Sequence, residues 1–188
     1  MFKRYATAIL IMVPAMIVSV QMGFDAEAAR SPYVSKFNIY NGSICADATL
    51  KRLGYAYDTA LEFSIFNLSV SYETDNPADN APNAGGVAHV GEAVTVFQEV
   101  TPQDVTRNGM AELTGLCIDT DSPAFIALIE DSVLPNAQWT LIDWDLLAFN
   151  ARFVITEFGD PRHVVEASCV PGFGADWTCT VYYDSQAR

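Results

Sequence analysis

The sequence predicts an all-β protein, an antiparallel β-sandwich of about eight to nine strands with at most one short helix. Three observations carry this expectation. Short runs of alternating apolar and polar residues recur along the chain, turn-forming Gly, Pro, Asn and Asp separate them, and no helical apolar period repeats. Of the 188 residues, 51% are hydrophobic and 12% aromatic, enough to build a core and too apolar for a disordered acidic chain.

The N-terminus is read first because it does not belong to the fold. Lys3 and Arg4 precede the apolar run Ala6–Val20, and Ala26-Glu27-Ala28 places small residues at −3 and −1 of a cleavage before Ala29. Broken by Pro14, that run is shorter than the roughly 20 residues a membrane span needs. Residues 1–28 are therefore expected to be a signal peptide, and 29–188 a single disulfide-bonded β-sandwich domain with no membrane span. Secretion or a periplasmic or cell-surface location follows.

Tyr33–Tyr40 partly alternates and stops at Asn41-Gly42-Ser43. Leu50, Leu53 and Tyr57 have the spacing of a short helix or turn. Leu61–Tyr72 is the longest strand-like run, and its apolar phase moves from Leu61, Phe63, Ile65 to Phe66, Leu68, Val70, Tyr72, as a β-bulge, or equally burial on both faces, would make it do. Residues 73–86 hold prolines, glycines and asparagines and read as a long loop. Strands resume over Val87–Val100. Asn108-Gly109 marks a hairpin between Asp104–Arg107 and Met110–Ile118.

Ser122-Pro123 offers an N-cap and a first-turn proline for a helix over AFIALIED, but Phe125, Ala127 and Ile129 alternate, and the alternation tips the reading to a strand. Trp139–Asp145 and Phe149–Phe158 read as two strands. His163–Cys169 and Trp177–Tyr183 close the chain as a hairpin.

All four cysteines, Cys45, Cys117, Cys169 and Cys179, follow the signal segment, and an even count in an exported chain reads as two disulfides. Three pairings satisfy four cysteines. The turn chemistry of PGFGA favours Cys169–Cys179, leaving Cys45–Cys117 as a long-range staple. None of the spacings suits a structural zinc site.

Twenty-three acidic residues stand against ten basic ones, a net charge of −13. That balance excludes nucleic acid as a partner, since affinity for phosphate backbones comes from Lys and Arg. No G-x-S-x-G elbow is present, and neither His89 nor His163 sits near a recognisable nucleophile. Each begins a His-x-x-Glu tetrad, but on a strand i and i+3 point to opposite faces, so both are expected at the surface or an edge rather than on a metal. Calcium is the better metal candidate, at Asp119 and Asp121, since hard cations want carboxylate oxygens. The twelve-residue calcium loop that Glu130 would complete fails where Pro123 and Ala124 replace an oxygen ligand and a glycine. Asp143-Trp144-Asp145 repeats the spacing, with both carboxylates on one strand face, and Asp75 and Asp79 lie in the loop. Trp139 and Trp144, with Trp177 and the Tyr182-Tyr183 pair, are candidates for stacking on a sugar. Asn41 and Asn67 begin Asn-x-Ser glycosylation patterns.

The expectation is an exported, non-enzymatic β-sandwich without a cofactor. It would act as an extracellular structural or filament-forming subunit or adhesion module, pairing with itself or another exported protein through edge strands. A carbohydrate- or calcium-binding module and a small secreted hydrolase are the alternatives.

Overall fold

The computed structural model describes residues 31–40, 44–53, 59–76, 84–172 and 176–185. The signal-peptide reading of residues 1–28 and the glycosylation pattern at Asn41 lie outside them. Two antiparallel sheets pack together, the sandwich that the alternating runs and turn residues predict. In the smaller, β1 (Tyr33–Tyr40), β2 (Ile44–Lys51) and β6 (Met110–Ile118) lie in the order β1-β2-β6. In the larger, β4 (Ala84–Val90), β3 (Thr59–Asp75), β7 (Thr140–Glu157), β8 (Asp160–Pro171) and β9 (Trp177–Asp184) lie in that order, and β5 (Val94–Val100) pairs with β3 beyond the end of β4.

The long strands β3 and β7 organise the core. Leu61, Phe63 and Ile65 of β3 and Phe149, Ala151, Phe153 and Ile155 of β7 are fully or almost fully buried. Phe153 stacks on Phe63 and meets Phe37 of β1, with ring centroids 5.0 and 4.8 Å apart. Farther along, the buried set in β3 becomes Leu68, Val70 and Thr74. The phase change is a bulge, with register shifting between Phe66 and Ser69 and Asn67 held at φ 50°. In β7 the shift opposite Ser69/Val70 makes Leu147 an extra residue, so Trp144 and Leu146 turn inward in step with Val70. The smaller sheet covers one half of this pair of strands. The only helix among the described residues, α1 (Pro123–Val133), packs against β4 and β7, with Phe125 and Ile129 buried.

Five local expectations are overturned. The segment after Ser122 is a helix: the Ser122 hydroxyl accepts from the Phe125 N–H and Pro123 opens the first turn, so capping outweighs the short alternation. Ser122→Ala should therefore cost about 1 kcal/mol, readable as a lower urea midpoint. Leu50 belongs to β2, where cross-strand pairing with β1 and β6 overrides the helical spacing; residues 54–58, including Tyr57, lie outside the described ones. The proposed long loop is shorter than 73–86, because β3 runs to Asp75 and β4 starts at Ala84, paired through Thr74↔Ala84. Trp139–Asp145 and Phe149–Phe158 are essentially one strand, continuous through the Leu147 bulge.

The fifth correction concerns Asp104–Arg107, which is not a strand. The Thr101 N–H and hydroxyl donate to Asp104, holding its carboxyl below the ordinary range and winding this stretch into turns. The Asn108-Gly109 turn itself is real. Gly109 has φ 65°, and a Cβ there would lie 2.5 Å from the Leu53 carbonyl oxygen, so only glycine fits. Met110–Ile118 pairs instead with β2.

Both disulfides join register partners of adjacent strands, Cys45–Cys117 between β2 and β6 and Cys169–Cys179 between β8 and β9. Two such bonds fit an oxidising extracellular or periplasmic compartment. No helix among the described residues is long and apolar enough to cross a membrane.

Candidate binding cleft

The Pro171-Gly172 turn opens the site. β8 pairs with β7 from Asp160↔Glu157 to Cys169↔Phe149 and no farther. Proline has no N–H to extend a ladder, and the Gly172 N–H donates to the Asp176 carbonyl, turning the chain back into β9. Strand β7 continues to Thr140, paired on one side with β3. Among the described residues no strand pairs the other side of Thr140–Ala148. The Trp144 N–H donates to the carboxylate of the preceding residue, Asp143, at 2.9 Å.

A cleft of about 530 Å³ lies along this open edge. Asp143, Trp144, Asp145 and Leu146 line one side, Thr120 and Asp121 of the loop before α1 another, and Ile44, Pro171, Asp176 and Trp177 complete it. Asp121, Asp143, Asp145 and Asp176 are exposed. None of the lining residues is basic, and none of the four carboxylates is ion-paired among the described residues. A shallower groove of about 340 Å³ shares Asp143–Asp145 and adds Glu73, Gly85 and Gly86. Glu73 is the direct cross-strand partner of Asp143, a like-charge juxtaposition that costs stability.

Of the residues singled out from sequence, Trp144 lines the cleft, whereas Trp139 precedes β7 and does not. The Trp144 ring packs on Phe125 and that of Trp177 on Phe149, with centroids 5.6 and 4.7 Å apart, so core phenylalanines occupy part of each stacking surface. Tyr182 and Tyr183 are about half exposed on β9, away from the cleft. Partial burial and then the Glu166 carboxylate raise the Tyr182 phenol above its ordinary range, while Arg152 opposes the rise. Asp119 and Asp121 are both exposed, but the Asp119 carboxylate accepts from the Asp121 N–H and only Asp121 reaches the cleft. Among the described residues no three His, Cys, Asp or Glu side chains are grouped to hold a metal ion.

His89 is exposed on β4. His163, expected at the surface or an edge, is buried at 1% exposure. Its Nδ1 accepts from the Val34 N–H at 3.0 Å, which puts the proton on Nε2 and directs it to Asp184 at 2.8 Å. Both ring nitrogens are engaged, and the Ser185 hydroxyl accepts from the Val164 N–H. The group ties β1, β8 and β9 together and leaves no nitrogen for a nucleophile. Asp143 and Asp145 were visible in the sequence, but Asp176 carried no signal, because its partners reach it only through the β8–β9 turn. No protein-family model and no curated protein matches the chain.

Proposed function

We propose that this protein is an exported, non-enzymatic β-sandwich that works as an extracellular structural or adhesive component, engaging another protein by strand addition. One observation carries the reading: β7 outruns β8 and presents Thr140–Ala148 as a half-paired strand beside a cleft. An extended segment entering there would continue the sheet beyond the point where β8 leaves it. Main-chain hydrogen bonds would supply affinity, and the flanking side chains would supply choice. The engagement of both His163 nitrogens and the partly occupied Trp144 and Trp177 rings favour this over hydrolysis or sugar stacking.

The test is selection of displayed random linear peptides against the oxidised protein, followed by amide hydrogen exchange with the selected peptides. Bound peptides should slow exchange within Thr140–Ala148, and a proline at the centre of a peptide should abolish binding. Protection confined to other segments, or indifference to the proline, would overturn the reading.

A further inference from the structure

We propose that the strand the β7 edge receives is basic, with Lys or Arg at alternate positions, and that it comes from a different protein rather than a second copy of this chain. The inference rests on strand addition at this edge and specifies the partner's chemistry.

Asp143 and Asp145 are two apart on a strand, so their carboxylates share one face and repeat at the period of an incoming strand. Glu73 stands directly across from Asp143 and lines the adjoining groove, whereas Asp121 and Asp176 line the cleft itself. Two strands and two loops thus carry one sign of charge, with no cation among the residues lining either groove. Elsewhere in the molecule Arg152 meets Glu166 and Arg162 meets Glu157. The Glu73–Asp143 opposition is unfavourable in the free protein, and a cation brought beside Asp143 on its open side offsets it.

Ile142 and Leu147 are the extra residues of the two β7 bulges, and both are exposed, at 53% and 39%, bracketing the acidic stretch with apolar side chains. The complementary segment is therefore short and extended, with alternate basic residues between apolar ends. A second copy is a poor occupant because each chain carries a net charge of −13. The exposed edge strand β9 contains Asp184 and no basic residue.

Three strand-length synthetic peptides separate the outcomes: one alternating lysine with valine, one alternating threonine with valine, and the lysine peptide with a central proline. Binding to the oxidised protein would be followed by fluorescence anisotropy at low and high salt. The lysine peptide should bind best and weaken with salt, and the D143N/D145N double variant should weaken it about tenfold while leaving the threonine peptide unchanged. Equal, salt-insensitive binding of the lysine and threonine peptides would overturn the basic partner and retain strand addition. Equal binding of the proline-broken peptide would overturn strand addition itself. If no peptide binds and D143N/D145N self-associates in light scattering, the acids are an edge guard against aggregation, and both readings fall.

Discussion

Replacing Cys45 and Cys117 together by alanine should lower the unfolding free energy by about 4 kcal/mol, and replacing Cys169 and Cys179 by about 2.5–3 kcal/mol. The ranking follows from loop length: the first bond closes a separation of 72 residues and the second of 10. A cross-link that closes a longer loop removes more freedom from the unfolded chain. Packing alone would rank the pairs the other way, because Cys169 is fully buried whereas Cys117 is exposed. Urea unfolding of both double variants under oxidising conditions decides between them. A larger loss for the Cys169/Cys179 variant would show that native-state packing at β8–β9, rather than chain entropy, dominates.

His163→Ala should be about as damaging, costing about 3–5 kcal/mol. It leaves the Val34 N–H buried without its acceptor, removes the hydrogen bond to the Asp184 carboxylate and opens a cavity. His163→Phe fills the space without restoring either bond and should cost about 2–3 kcal/mol, so the difference between the two variants measures the cavity. Equal stability of the phenylalanine variant and the wild type would mean that the Val34 N–H finds water when the imidazole is gone. Because His163 links the start of β1 to β8 and β9, the loss should appear as early unfolding of the sheet junction rather than of α1.

Much of the architecture was legible because it depends on local pattern. The phase change within Leu61–Tyr72 announced the β3 bulge, and the turn chemistry of PGFGA announced the Cys169–Cys179 hairpin. The failures share a cause in tertiary structure. Alternation at Phe125, Ala127 and Ile129 says nothing about Ser122 capping a helix that must cover Trp144, and Leu50 is spaced for a helix while two neighbouring strands hold it in a sheet. His163 looked like a strand-surface histidine because its two hydrogen-bonding partners, Val34 and Asp184, lie 129 and 21 residues away. The candidate site was legible only in pieces. Asp143, Trp144 and Asp145 are adjacent in the chain, but the open edge beside them exists because a different strand ends early, which no window around Asp143 contains.

The matched irregularities in β7 also set how an attachment made there would behave. Between the extra residues Ile142 and Leu147, the regular ladder comprises Asp143 to Leu146. So short a run of main-chain bonds holds a single incoming strand briefly, and dissociation would be rapid. Durable attachment would then depend on valency: many copies displayed side by side, each releasing and recapturing, would retain a repetitive partner that no single molecule could keep.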